Sequence, residues 1–127
     1  MFKFLFLILV VTSSAIFAQQ TENNEQKEKP KAYIFSELGK ANDSQVEARM
    51  KEFQERLSKE DFATGYIISY GNSKKVSIRE KQIREKGNWH CGYDGCRLVL
   101  VNGGESEEIK SVFWIVPRGA EPPIPEN

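Results

Sequence analysis

One segment of the chain has the pattern of an amphipathic helix, and it lies between two short runs of strand-forming residues. Val46, Met50, Phe53 and Leu57 follow one another at spacings of four, three and four, which places them on a single helical stripe. The other positions between residues 45 and 59 are mostly charged or polar. A helix with one apolar stripe must bury that stripe against another layer, and the flanking strands predict that this layer is a β-sheet.

Further strands and a second helix are predicted along the rest of the chain. Strand-forming runs occur at four places: 32–35, 63–70, 97–101 and 109–116. Residues 74–86 have a weaker helical pattern that ends at Gly87. This order predicts an α+β fold, a two-layer βαβαββ sandwich with both helices on one face of a mixed sheet.

Short local patterns predict details of this fold. Ser44 followed three residues later by Glu47 is the pattern of a capping box at the start of the first helix. The run 102–104, Asn-Gly-Gly, is typical of a turn, so we expect the last two strands to form a hairpin. Phe113 and Trp114 are neighbours in the last strand, so one should pack on the helices and the other should face the open side of the sheet.

The first 18 residues have the order of a secretory signal peptide. A lysine at position 3, an apolar run at 4–11 and small residues ending at Ala18 correspond to its three regions. The alternative is an uncleaved membrane anchor, but the apolar run is shorter than the roughly 20 residues that span a bilayer. We expect an exported chain, periplasmic or in the cell envelope, with no membrane span after cleavage.

The remaining residues divide into three parts. Residues 19–31 contain no aliphatic or aromatic side chain and are predicted to be a disordered linker. Residues 32–118 form the predicted α/β domain, whose size suits a single hydrophobic core. Residues 119–127 form a proline-rich tail, in which Pro122 and Pro125 have the Pro-x-x-Pro spacing that proline-reading partners recognise. A simple chain end is the alternative interpretation of this tail.

Composition excludes several classes of function. Lys and Arg total 18 and so do Asp and Glu, so the chain lacks the excess positive charge used to bind nucleic acid. With a single histidine, His90, a Ser-His-Asp device would depend entirely on that residue, and a four-ligand zinc site would need carboxylates. We therefore expect no enzyme activity, no metal and no cofactor.

The two cysteines lie close together between the second helix and the third strand. In an exported protein, Cys91 and Cys96 are expected to form a disulfide, and Gly92 and Gly95 would allow so short a loop. A metal site using His90 with both thiols, a thiol-disulfide enzyme, and a loop that shapes a ligand face are the alternatives.

Residues 32–116 resemble the OmpA C-terminal domain, the peptidoglycan-associating module of many bacterial envelope proteins. That family ends its second strand with Gly-His-Thr-Asp and opens its second helix with Leu-Ser-x-x-Arg-Ala-x-x-Val. The matching stretches here are 69–72, Ser-Tyr-Gly-Asn, and 76–83, Val-Ser-Ile-Arg-Glu-Lys-Gln-Ile. The closing stretches 101–104 and 113–123 are similar to those of exported acidobacterial proteins with degenerate OmpA-like domains.

The resemblance implies a ligand site at Asn72 and Arg79. Arg79 takes the position of the family's arginine if one residue is missing after Ser77, and Asn72 stands where the family has aspartate. In the family these two residues grip the carboxylate and the ammonium of diaminopimelate, and asparagine supplies no charge for the ammonium. The resemblance thus implies weak binding of peptidoglycan or another envelope component. The alternatives are a protein-interaction or structural module with a lost site, in which Asn72 only forms a turn and Arg79 is a surface charge.

Overall fold

The computed structural model describes residues 28–87 and 97–126 of the chain. Its regular elements are β1 (Tyr33–Leu38), α1 (Asp43–Ser58), β2 (Thr64–Tyr70), α2 (Ser73–Lys86), β3 (Leu98–Gly104) and β4 (Lys110–Val116). Four strands and two helices confirm the predicted α+β sandwich. The predicted signal peptide, residues 1–18, lies outside the described residues. None of the described helices is long and apolar enough to cross a membrane.

The strands lie side by side in the order β1-β4-β2-β3. β4 pairs antiparallel with β1 and with β2, while β3 lies at the edge of the described sheet and pairs parallel with β2. The expected hairpin between the last two strands is therefore wrong, because β2 lies between them. The physical reason is the apolar content of β4: Val112, Phe113, Ile115 and Val116 are all buried, and a strand that is apolar on both faces is best shielded from water in the interior of a sheet.

β3 also extends further than its sequence predicts. The run 102–104 does not form a turn, because Asn102 pairs with Ser69 and Gly104 pairs with Tyr70 of the neighbouring strand. Gly103 is required within this pairing: a Cβ atom there would lie 2.5 Å from the Tyr70 ring. Packing of that ring on the glycine backbone offsets the low strand preference of Asn and Gly.

α1 begins two residues earlier than the capping pattern at Ser44 and Glu47 predicts. The N-cap is Asn42, whose side-chain oxygen accepts the backbone N–H of Gln45, and the Gln45 side chain accepts the Asn42 backbone N–H, each at 2.9 Å. The predicted capping box is thus wrong in position, since Ser44 already lies within the helix. Asparagine is among the best N-cap residues, and glutamine serves in the third position of a capping box.

The core lies between α1 and the sheet. The stripe Val46, Met50, Phe53 and Leu57 is entirely buried, as predicted, and Phe53 packs edge-on against Phe113 with ring centroids 5.3 Å apart. Ile67 and Ile115 join this cluster from β2 and β4, and Ile83 joins it from α2.

Strand alternation places a second set of residues on the opposite side of the sheet. We call this side the outer face; among its residues are Tyr66, Ile68, Val112 and Trp114. Phe113 is buried against α1 and Trp114 is only partly buried on the outer face, which confirms the predicted division of these two aromatic residues.

Candidate functional site

Arg79 is buried beneath α2, although its sequence context is that of an exposed helix position. Only 2% of its surface is exposed. Nη1 donates to Ser111 Oγ at 2.9 Å and to the Leu38 carbonyl at 3.3 Å, and Nη2 donates to the Gly39 carbonyl. The interpretation of Arg79 as an ordinary surface charge is therefore wrong. The guanidinium joins α2 to β4 and to the end of β1.

The positive charge of Arg79 has no counter-ion within residues 28–87 and 97–126. No carboxylate oxygen of these residues lies within 4.0 Å of its guanidinium nitrogens, and its buried Nε has no hydrogen-bond partner. Burial lowers the pKa of Arg79 from its ordinary value, but a guanidinium remains protonated at neutral pH. A buried cation without an anion is energetically costly, so the position favours a negative charge nearby.

Two serines extend the polar contact of Arg79 into the sheet. Ser111 and Ser69 are buried on neighbouring strands, and their Oγ atoms lie 2.7 Å apart. Because Ser111 accepts from Arg79, its own hydroxyl proton is available for Ser69. The resulting chain of hydrogen bonds holds the guanidinium in one place.

A cleft of about 440 Å³ lies beside Arg79, between α2, the segment after β1 and the segment before β4. Lys40, Lys75 and Arg79 give it three positive charges, and Glu108 gives it one negative charge. The remaining lining residues are apolar or uncharged: Ala41, Ile78, Gln82 and Ile109. The cleft thus combines an excess of positive charge with an apolar wall, which suits an anionic organic ligand better than a simple cation.

Asn72 does not line this cleft. It is the N-cap of α2, and its side-chain oxygen accepts the backbone N–H of Lys75 at 2.8 Å. The structure therefore brings Arg79 to a cleft but does not place Asn72 in it. A helix cap also accounts for an asparagine at this position without any ligand.

The sequence reasoning missed the other charged residues of the cleft. Lys75, Ile78, Arg79 and Gln82 recur at helical spacing and form a second stripe on α2, beside the buried positions Val76 and Ile83. The spacing of these four residues can be found in the sequence, but helical patterns are recognised from apolar residues, and only one of the four is apolar. Lys40 and Glu108 lie outside the helices and have no such signal.

The predicted disulfide of Cys91 and Cys96, and the alternatives that involve His90, lie outside the described residues. Comparisons with known proteins gave no match: no protein-family model, no curated protein and no solved structure is similar to this chain at a significant level.

Proposed function

We propose that the chain is an exported, non-enzymatic domain of the cell envelope that binds a carboxylate of the peptidoglycan stem peptide in the cleft beside α2. The observation that carries this proposal is the buried charge of Arg79, which has no counter-ion among the described residues and lies at a cleft lined by two more cations. The signal-like start of the chain and the resemblance to the OmpA C-terminal domain support the location and the ligand class.

The cationic residues have different parts in this proposal. Arg79 is held by three intramolecular hydrogen bonds, so it supplies a fixed positive potential and does not reach toward the ligand. Lys40 and Lys75 are exposed and make the direct contacts with the carboxylate. Glu108 lines the same cleft and takes the ammonium group that the family binds with aspartate. Asn72 acts only through the start of α2.

The test is cosedimentation of the purified chain with isolated peptidoglycan sacculi. A hydrogen bond to a charged group contributes about 1.5–3 kcal/mol when it is well ordered, and about 1.4 kcal/mol corresponds to a tenfold change in affinity. We therefore expect the double variant Lys40→Ala/Lys75→Ala to bind roughly tenfold more weakly than the unmodified chain.

The matched control for this test is the double variant Lys74→Ala/Lys81→Ala. It removes the same charge from exposed positions of α2 that do not line the cleft. An equal loss of binding in both double variants would show that only net charge matters. Failure of the unmodified chain to bind sacculi at low ionic strength would refute the proposal altogether.

A second candidate function is an interaction module of the envelope whose peptidoglycan site has been lost. It is favoured by one observation: both Nη atoms of Arg79 already donate to acceptors of the chain itself. For this candidate we expect no binding to sacculi, and binding of a protein partner that is unaffected by Lys40→Ala/Lys75→Ala.

A further inference from the structure

The outer face of the sheet is buried along its centre and open at its edges, where Ile34 and Val99 are 48% and 36% exposed. Ile68 is 0% exposed, and Val112 and Val116 are each 5% exposed. The described helices both pack on the other side, where α1 contributes to the core and α2 holds Ser111 through Arg79. The C-terminal tail, residues 119–126, lies against part of this face, beside Val112 and Trp114.

Two contacts fix the path of the tail across this face. At its end, the backbone N–H of Glu126 donates to the Tyr70 hydroxyl at 3.1 Å. Near its beginning, Glu121 pairs with Lys29 at 3.2 Å. Between these points Ile124 lines a small hollow together with Val112 and Trp114. The tail therefore runs over the sheet instead of away from the domain.

The tail does not pair with the sheet as an additional strand. Pro122, Pro123 and Pro125 have no backbone N–H, so they favour an extended polyproline conformation over a sheet ladder. Aromatic side chains are the usual binding surface for such segments. The outer face offers Tyr66, Trp114 and the adjacent Tyr70, and the tail lies against two of these three.

Charge complementarity adds to this fit. The proline run is bracketed by Glu121, which pairs with Lys29 ahead of β1, and by Glu126, which lines a hollow with Lys110 and Glu37. The Lys110 ammonium lies 5.5 Å from the centroid of the Tyr70 ring, whose hydroxyl accepts from Glu126. A segment with acidic residues on either side of its prolines therefore matches the surface at both ends.

The tail is held loosely in this position. Its ion pair joins side chains that are 66% and 86% exposed, and exposed pairs of this kind contribute little to stability. Ile124, its largest apolar residue, is 85% exposed. A space of about 390 Å³ remains beside Trp114, between Pro30 and Pro123. A competing segment with a better-placed apolar side chain could fill that space.

We infer that the outer face is a binding surface for proline-rich segments flanked by acidic residues, and that the tail occupies it as a displaceable internal ligand. The partner it fits is such a segment on another protein. This inference does not depend on the cleft, because the two surfaces lie on opposite sides of the sheet.

The test uses a fluorescent peptide with the sequence of residues 120–127, Ala-Glu-Pro-Pro-Ile-Pro-Glu-Asn, and two forms of the protein. One form is the full chain and the other ends at Gly119. A tethered ligand competes at an effective concentration in the millimolar range. We therefore expect saturable binding to the shortened chain, and binding at least tenfold weaker to the full chain. A control peptide with its three prolines replaced by alanine should bind more weakly to the shortened chain.

A second variant keeps the test informative if the shortened chain does not fold. In the full chain, replacement of Pro122, Pro123 and Pro125 by alanine weakens the tail but leaves the outer face unchanged, so it should strengthen binding of the added peptide. Equal binding of the peptide by the full and shortened chains, or no binding by a folded shortened chain, would overturn the inference. Concentration-dependent dimers of the full chain that vanish on shortening would assign the tail to a second copy and overturn the internal arrangement.

Discussion

Replacement of Gly65 by alanine tests how closely α1 packs on the sheet. A Cβ atom at residue 65 would lie 2.8 Å from Leu57 Cδ1 and 2.8 Å from Phe53 Cε1 and Cζ. Carbon atoms prefer separations of about 3.5–4.0 Å, so the helix side chains would have to move by about 1 Å. Phe53 cannot move easily, because its ring lies edge-on to Phe113 and 5.6 Å from the Phe35 ring.

The expected cost follows from this crowding. Overpacking of a well-packed core typically costs about 1–3 kcal/mol, and contact with three carbon atoms places Gly65→Ala in the upper half of that range. Strand preference alone would predict the opposite sign, because glycine weakens a strand interior relative to alanine. We expect a loss of about 2 kcal/mol, measured as a lower midpoint of urea unfolding, and a Tm lower by roughly 10 °C.

The matched control is Gly39→Ala, since a Cβ atom there would have no neighbour within 4 Å. A difference of less than about 0.5 kcal/mol between the two variants would refute the packing argument. A double variant with Phe53→Leu should recover part of the loss, because the smaller side chain makes room for the added methyl group. Additive effects of the two substitutions would show that the predicted collision does not occur.

Two further predictions concern the start of α1 and Tyr33, a residue of β1 that contacts Arg56 and Glu60 near the end of that helix. Asn42→Ala should lower the free energy of unfolding by about 1 kcal/mol and Ser44→Ala by less than about 0.5 kcal/mol, and chemical denaturation that gave the reverse order would place the cap at Ser44. Burial and the hydrogen bond to Glu60 raise the pKa of Tyr33 above its ordinary value of 10.0. The folded state keeps this proton longer than the unfolded chain, so the contribution of Tyr33 is complete below pH 10 and is lost as pH rises through the raised pKa. Thermal unfolding between pH 9 and 11 should be less sensitive to pH in Tyr33→Phe, and identical profiles would contradict the linkage.

Local patterns predicted the helices well because the information for them lies within a few turns. The stripe Val46, Met50, Phe53 and Leu57 specifies α1, and all four residues are buried. The buried side of α2 was harder to recognise, because it contains Arg79 between Val76 and Ile83. A charged residue in a helical pattern is predicted to be exposed unless buried hydrogen-bond acceptors for its side chain are known.

The acceptors of Arg79 show why the candidate site could be predicted only in part. They belong to β4 and to the end of β1, which lie more than thirty positions away along the chain. The order of the strands in the sheet likewise depends on contacts between residues that are far apart along the chain. The run at 102–104 has the composition of a turn, yet pairing of Asn102 and Gly104 with β2 keeps it in the sheet. The family resemblance implies a ligand site at Arg79 and Asn72; Arg79 lies at the cleft, while Asn72 has a local role as a helix cap.

The interior position of β4 also determines when the domain can form during synthesis. Among residues 28–87 and 97–126, β1 pairs with no strand except β4, so β1 cannot join the sheet until residues 110–116 have been synthesised. Pairing across so long a stretch of chain is entropically slow compared with the formation of local helices. α1 and α2 can form early, but the sheet closes only after almost the whole chain is available. A nascent chain of this protein therefore lacks the complete sheet until β4 emerges, and a stop codon before residue 110 leaves β1 without its strand partner.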